Sequence, residues 1–424
     1  MFDNFLKKLK IIFTDKVIIS RIVFVLAMFV IFRLLGSIPL PGIDATKLAQ
    51  FLANNQFFAF LSLFSGGGLT QLSLVALGVA PYITSSVIMQ LLTVLLPNMK
   101  SMYHEEGEQG RRKFNQYSRW LSVLFAILQG VGLIAFLTSQ GILVVPTLLA
   151  KTVMIATVVA GSVMLMWMGE LISEFGIGNG ISMIVFAGIV SRIPTDISRG
   201  AFTYDPTQIP MYIGIFAILV LMVFTSVIIT EAERPIPVHY AKQVRKGYAT
   251  AGTDTYIPLR IAQAGVMPII FAGSILQLPK ILSFFFLKST NATLLALGNT
   301  FSHFTSAQVS YMLIYFVLIF FFTYFYTAVT FDAEAMANNL QKNGAFVPNV
   351  RPGPATADYV ATILSRTTFF GAVFFAIIAV MPFILQKLTG NSLFALGGTG
   401  ILIAVSVSID LIKKLSAQAS MKEY

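Results

Sequence analysis

The chain has 424 residues, 56% of them hydrophobic and only 11% charged, with a mean hydropathy of +0.80. Soluble domains carry about 25% charged residues, so this composition excludes an ordinary soluble fold and indicates a polytopic membrane protein. The absence of cysteine excludes a disulfide framework or thiolate metal site, and a formal net charge of +11 points to orientation by basic residues and to anionic lipid or an acidic partner.

Met1 to Phe13 reads as an interfacial helix rather than a cleavable signal. Phe2, Phe5, Leu6, Leu9, Ile12 and Phe13 share one face, with Lys7, Lys8 and Lys10 off it. The apolar run that follows has no small-residue cleavage site after it. A spanning helix needs about 20 apolar residues. Ten runs supply them, or nearly so: Arg21–Ile38, Leu74–Leu96, Arg119–Thr138, Leu148–Gly169, Gly180–Ile193, Pro210–Thr230, Leu259–Pro279, Val309–Phe331, Val360–Met381 and Leu393–Ile412. The fifth is short, so it either tilts against a neighbour or extends through the glycines before it.

Basic residues orient these runs. With the N-terminus inside, 21 of the 29 Lys and Arg residues fall in inner segments and 7 in outer ones, with Arg33 within the first run. That bias places both termini in the cytoplasm. Ten spans divide into five and five, and an odd number per half gives the halves inverted topology, with a functional path expected where they meet. The expected fold is therefore an all-α polytopic membrane protein, ten transmembrane helices in two inverted halves around a central pore. The organisation expected is an amphipathic segment 1–20, a first half 21–195, a second half 196–412 and a cytoplasmic tail 413–424.

One stretch breaks the pattern. Phe57 to Phe64 is apolar but too short to span, and Ser65-Gly66-Gly67-Gly68-Leu69-Thr70-Gln71-Leu72-Ser73 follows it before the second run begins. Backbone that is neither helical nor stranded survives at membrane depth only inside protein or beside a water-filled cavity. A half-helix and glycine loop here suggest a pore or substrate path; the other reading is an external loop with a short interfacial helix. The inner segments Asn98–Tyr117 and Ala232–Pro258 are long and basic, and Asp332–Asp358 carries Pro348, Pro352 and Pro354. Such loops are either docking surfaces or solvated connectors.

Recognisable catalytic chemistry is absent. No serine sits in a nucleophile elbow, no phosphate loop of the Walker type occurs, and His104, His239 and His303 are scattered, which leaves no catalytic set, metal ligand cluster or cofactor site. Gly176-Ile177-Gly178-Asn179-Gly180 follows an apolar helix rather than a strand, so it is a tight turn or a close helix contact, not a nucleotide-binding turn. Ion-coupled transporters place acids at the midplane. Here Glu170, Glu174, Glu231, Glu233, Asp332, Glu334 and Asp410 cluster at inner ends. The midplane offers Val79 with Ile83 and Ile181 with Val185, each pair one helical turn apart. A small-solute transporter would need a polar midplane site and an intramembrane enzyme a catalytic constellation.

The motifs are specific in combination. They are Phe32-Arg33 through Gly36-Ser37-Ile38-Pro39-Leu40-Pro41-Gly42-Ile43-Asp44, Phe64-Ser65-Gly66-Gly67-Gly68-Leu69, Ala76-Leu77-Gly78-Val79-Ala80-Pro81-Tyr82-Ile83, Glu106-Gly107-Glu108-Gln109-Gly110-Arg111-Arg112-Lys113 and Gly176-Ile177-Gly178-Asn179-Gly180-Ile181-Ser182. Then come Ala337-Asn338-Asn339-Leu340, Gly344-Ala345-Phe346-Val347-Pro348, Val350-Arg351-Pro352-Gly353 and Gly397-Gly398-Thr399-Gly400. In this order, between ten matching runs, the chain resembles the bacterial SecY family (SecY/Sec61-alpha), the central subunit of the protein-conducting translocon.

The resemblance implies a channel that passes unfolded polypeptide across the bacterial inner membrane. It also releases signal sequences and nascent transmembrane helices sideways into lipid, between the second and third spans and the seventh and eighth. It matches Val79, Ile83, Ile181, Val185, Ile270 and Ile403 to a pore ring. It matches residues 57–73, with Phe64, Ser65, Gly66, Gly67, Gly68 and Leu69 at their centre, to a plug. It matches Gln90, Gln263 and Ser274 to a lateral gate, with Ala262 where the family usually has an asparagine in the seventh span. Arg245, Lys246 and Arg351 fall in loops matching the docking surface for the ribosome and the SecA motor ATPase. Small subunits like SecE and SecG, preproteins and the lipid bilayer are the other implied partners, with no direct contact to DNA.

Overall fold

Asp15 opens the first long helix. Its carboxylate accepts from the N–H of Val17 at 2.8 Å and Ile18 at 3.1 Å, satisfying donors that a helix start leaves free. The computed structural model describes residues 13–44, 47–48, 65–69, 71–104, 106–143, 147–202, 209–240, 244–245, 248–249, 254–287, 291–306, 308–389 and 393–422. The expected interfacial helix before Phe13 and the apolar stretch 57–64 lie outside them.

The first half holds α1 (Lys16–Ser37), α2 (Ala80–Leu95), α3 (Pro97–His104), α4 (Gly107–Ser139), α5 (Leu148–Phe175) and α6 (Gly180–Phe202). After α7 (Ile209–Glu231) come β1 (Glu233–Tyr240), β2 (Val244–Arg245), β3 (Tyr248–Ala249) and β4 (Asp254–Arg260). Then follow α8 (Met267–Phe286), α9 (Ala292–Ser306), α10 (Gln308–Thr330), α11 (Ala333–Lys342), β5 (Ala345–Phe346), α12 (Pro354–Thr389) and α13 (Leu393–Lys422). Each of the ten apolar runs falls on one of ten helices: α1, α2, α4 to α8, α10, α12 and α13. Among the described residues six helices are long and apolar enough to cross a membrane alone, and α2 with α3 forms a pair bent by 112°. The fifth run is not extended through the glycines before it: α6 starts at Gly180 and continues past the run to Phe202, while its apolar part, Gly180–Arg192, stays shorter than a full span.

Two run boundaries are corrected. The second run was expected to start at Leu74, yet residues 74–79 form turns and α2 starts at Ala80, with Pro81 in its first turn. Proline suits that position, because its missing N–H would be unbonded there anyway. The seventh run was expected to start at Leu259, but Leu259 and Arg260 belong to β4. Strand pairing takes their backbone groups, Gly265 at φ +55° turns the chain, and α8 begins only at Met267. Ala262 and Gln263 therefore sit in the turn ahead of the seventh spanning helix, not within it.

Helices pack in chain order within each half. α2 lies on α4, α4 on α5 and α5 on α6; α8 lies on α10, α10 on α12 and α12 on α13. Two seams join the halves: α6 against α13, and α8 against both α2 and α4. Small residues permit the close approaches, as expected where lipid supplies no hydrophobic drive between helices. A Cβ on Gly161 of α5 would overlap the Leu74 carbonyl. Ser162 Oγ donates to the Gly78 carbonyl at 2.9 Å, and Ser85 Oγ to the Ser118 carbonyl at 2.6 Å. Each such bond contributes about 0.6 kcal/mol on average.

The segments after α7 and α11 carry a sheet that the sequence reading did not anticipate. β1 pairs antiparallel with β4, Ile236 opposite Ile257, and with β5, His239 opposite Phe346, giving the order β4-β1-β5. β5 lies in a different loop from β1 and β4, so strand pairing fuses the two inner loops. Ile236, Val238, Leu259, Ala345, Val347 and Val360 form a small apolar core beneath the sheet.

Candidate functional site

Four helices carry the residues matched to the ring. Val79 caps the start of α2, and the Ile83 N–H donates back to its carbonyl at 3.1 Å, so the two sit one turn apart. Ile181 and Val185 occupy the first turns of α6, Ile270 the first turn of α8, and Ile403 lies on α13. Val79, Ile83, Val185, Ile270 and Ile403 are each at most 4% exposed. All five belong to one apolar cluster, and half-buried Ile181 packs against it. Residues 324 positions apart in the chain, Val79 and Ile403, thus enter the same core across both seams.

Against this cluster lies a cavity of about 530 Å³. Its floor includes Ile83, Ile181 and Ile270, and its polar wall includes Gln90, Glu170 and Glu174. Arg119 of α4 holds Glu170 of α5 at 2.7 Å, fixing one wall. A second cavity of about 240 Å³ is lined by Gln263, Asn179 and Lys414, and Tyr326 of α10 borders both. The three gate residues therefore separate. Gln90 faces the first cavity, where its Nε2 donates to Ser86 Oγ at 3.2 Å. Gln263 faces the second. Ser274 is fully buried in α8 and donates to the Ile270 carbonyl at 2.9 Å, one turn back.

The described end of the plug stretch is a compact loop. Gly66 and Gly67 have φ of +59° and +85°, values that glycine adopts without a Cβ penalty. Ser65 Oγ accepts from the Leu69 N–H at 3.0 Å, and the Ser73 N–H donates to the Gly68 carbonyl at 2.7 Å. Ser65 and Leu69 are buried. The loop is stitched to the strand-like segment after α1: the Leu40 N–H donates to the Leu72 carbonyl at 2.9 Å and the Leu74 N–H to the Ile38 carbonyl at 3.0 Å. Phe64 lies outside the described residues.

The Gly176–Gly180 stretch is both of the things the sequence left open. Gly178, at φ +88°, makes the turn, and a Cβ on Gly180 would overlap the Gly169 carbonyl of α5. This close contact places α6, and with it Ile181 and Val185, directly beside α5. At the inner platform, Arg351 is exposed in the turn between β5 and α12, where its carbonyl accepts from Thr356 Oγ1 at 2.8 Å. Asn349 at φ +63° and Gly353 at φ +100° bend the chain on either side of it. Arg245 lies in β2, paired with Tyr248 of β3, and Lys246 lies outside the described residues.

A family profile, SecY, matches residues 73–412. The protein translocase subunit SecY of Corynebacterium glutamicum is 36% identical over 97% of this chain and 97% of its own. The corresponding subunit of Staphylococcus epidermidis is 36% identical over 100% and 99%, respectively. The chain belongs to the SecY family. Solved structures agree on the fold. One reported as the structure of a protein conducting channel superposes with a TM-score of 0.64 at 17% identity, covering 95% of this chain and 92% of its own. Sec61 in a canine ribosome-channel complex gives a TM-score of 0.60 with the same identity and coverage.

SecY family membership accounts for the motif order but did not disclose two features. Glu170 and Arg119 are 51 positions apart, and only the packing of α4 on α5 makes them a pair. Phe32 was quoted within a motif without a role. The structure presses its ring against the Gly66 backbone. Proximity of Phe32 to the glycine run has no sequence signal beyond their shared presence in motifs. The platform sheet had one: Ile236 and Val238 alternate with exposed neighbours, as do Ile257 and Leu259.

Proposed function

We propose that this chain forms the pore of a protein translocase, passing unfolded polypeptide through its centre and releasing apolar segments sideways into lipid. One observation carries the reading: aliphatic residues from α2, α6, α8 and α13 meet in a single buried cluster, and Ile83, Ile181 and Ile270 also line a cavity shared with Gln90, Glu170 and Glu174. Such a waist has no side-chain hydrogen-bond partner for water, so it resists ions by dewetting while yielding to a passing chain. A pore for every kind of sequence needs no specific polar site at its narrowest point. Sorting then rests on hydrophobicity. Leu or Ile favours lipid by roughly −0.3 to −0.6 kcal/mol each at a helix centre, while Asp or Lys opposes it by about +2.5 to +3.5. The seam of α8 against α2 and α4 is the route by which such segments leave.

In this reading the stretch 57–73 is the plug on the outer side, and the fused inner loops are the docking platform for a ribosome or the SecA motor. Small membrane subunits like SecE and SecG complete the assembly, and the location is the bacterial inner membrane. Reconstitution in liposomes with the partner subunits, the motor ATPase and a signal-bearing preprotein tests this. Protease-protected preprotein that depends on ATP and on the signal is the expected result. No protected product from a correctly assembled complex would overturn the assignment.

A further inference from the structure

We propose that α9 is an interfacial helix that lies on the bilayer at the face opposite the β4-β1-β5 sheet, its leucines seated among lipid headgroups and the first acyl carbons. The surface is independent of the translocase reading, since it needs only that the neighbouring helix α10 crosses the membrane. Connectivity sets its location. β4 leads into the start of α8, and the end of α10 leads through α11 to β5. The end of α8 and the start of α10 therefore point away from the sheet, and α9 joins those two ends. It has 15 residues, about 22 Å of helix against a hydrocarbon core of about 30 Å, too short to span.

The apolar arc of α9 is wider than its protein contacts. Asn291 starts the helix, its side-chain oxygen accepting from the Thr293 N–H at 3.2 Å. Half-buried Leu294, buried Gly298 and half-buried Phe301 form the face that packs on α8. A Cβ on Gly298 would come within 3.0 Å of the Leu287 nitrogen and the Phe286 Cβ, and the Phe301 ring stacks on Phe286 with centroids 6.3 Å apart. Leu295 and Leu297 stand roughly 60–90° to either side of that face, at 3.6 residues per turn. Both are exposed, at 40% and 47%. Ala296 and Thr300 occupy the far side of the helix. The apolar surface continues along the chain through exposed Leu287 before α9 and exposed Val309 and Leu313 of α10 after it. No charged residue occurs between Lys288 and Asp332. An acidic or basic partner therefore meets no complementary charge on α9, and water would leave its leucines uncovered. The bilayer interface covers such an arc by apolar burial alone.

The test uses the full chain, which has no cysteine of its own, assembled with its partner subunits in phosphatidylcholine nanodiscs. Leu295, Leu297, Ala296 and Thr300 are replaced singly by cysteine, and each cysteine carries an environment-sensitive fluorophore. All four positions are exposed, so the substitutions remove little packing. The probes at 295 and 297 should emit to the blue, be quenched by lipid with a nitroxide near the headgroup, and be shielded several-fold from aqueous iodide. The probes at 296 and 300 should show the reverse. Iodide reaching all four positions alike would place the helix in water and overturn the proposal. Shielding of 295 and 297 from both iodide and nitroxide lipid would mean that a protein subunit covers them, and overturns it equally. Quenching at all four positions by a nitroxide at the acyl-chain end would make α9 a re-entrant element buried in the core, which the proposal also forbids.

Discussion

Ile83 of α2 and Ile403 of α13 belong to one buried apolar cluster, and their chemistry is that of a seal rather than a binding site. Replacing both with serine gives the waist two hydroxyls, each one donor and two acceptor lone pairs, where it had no side-chain partner for water, so a dewetted constriction becomes a wettable one. Ile83→Ser with Ile403→Ser should raise the resting ion conductance several-fold and relax the demand for a good signal. Planar-bilayer recording with a defective-signal preprotein measures both. Ile269→Ser, which loses comparable burial on α8 one residue before Ile270, and Ile377→Ser on an exposed face of α12 separate the waist from general damage. Equal conductance from those controls would assign the effect to lost packing. Arg351 poses the opposite case, since its side chain is exposed and its backbone is held independently by Thr356. A guanidinium fork so placed suits carboxylate or carbonyl groups on a partner. Arg351→Glu should leave folding and assembly intact while abolishing motor-driven translocation. Normal ATP-dependent protection of preprotein by that variant would remove Arg351 from the docking surface.

Between residue and bilayer lies the inner platform, where sequence reasoning was least adequate. The loops at 232–258 and 332–358 were legible as basic or proline-rich segments but not as one body, because β1 and β5 meet across about a hundred residues of chain. The positions of its prolines are compatible with the strand β1. β1 has partners on both sides only near His239, where β4 and β5 flank it. Pro235 and Pro237 lie in its one-sided part, which needs fewer ladder donors. Leu259 misled the boundary of the seventh run for a related reason. It is apolar because it faces the platform core, not because it faces lipid. The platform should behave as a separate cooperative unit. Val238→Asp places a carboxylate among Ile236, Leu259 and Val360, at a cost on the order of 3–5 kcal/mol for an unpaired buried charge. Limited proteolysis of the assembled complex should then cut within residues 232–260, with motor-driven translocation lost and the spanning helices still protected. Cleavage spreading into α7 and α8 at the same protease dose would show that platform and spans unfold together.

Most of the membrane-embedded architecture was legible because each apolar run answers to one physical demand, the bilayer's thickness, whatever its neighbours do. Seams, cavities and the Phe32 contact were not, since they depend on which helices meet. Orientation is an expectation from the 21-to-7 bias of basic residues, and the structure shows which elements share one face. Lys413 of α13 lies 2.9 Å from Glu231 at the end of α7, so the tail of α13 and the platform that follows Glu231 share one face. On the same reasoning, Arg119 and Glu170 put the start of the third span beside the end of the fourth. These paired charges gather where the basic loops emerge, as the positive-inside rule requires of a cytoplasmic face. Both termini and the platform should therefore face the cytoplasm. The cysteine-free chain allows a direct test, with single cysteines at Lys246, Ser420, Lys47 and Lys387 probed by an impermeant thiol reagent applied to intact cells. Label should reach Lys47→Cys and Lys387→Cys from outside, and reach Lys246→Cys and Ser420→Cys only after the membrane is opened. Strong outside labelling at position 246 or 420 would invert the assignment, and with it the placement of the plug outside the waist and of the 530 Å³ cavity on the side where a partner delivers the chain.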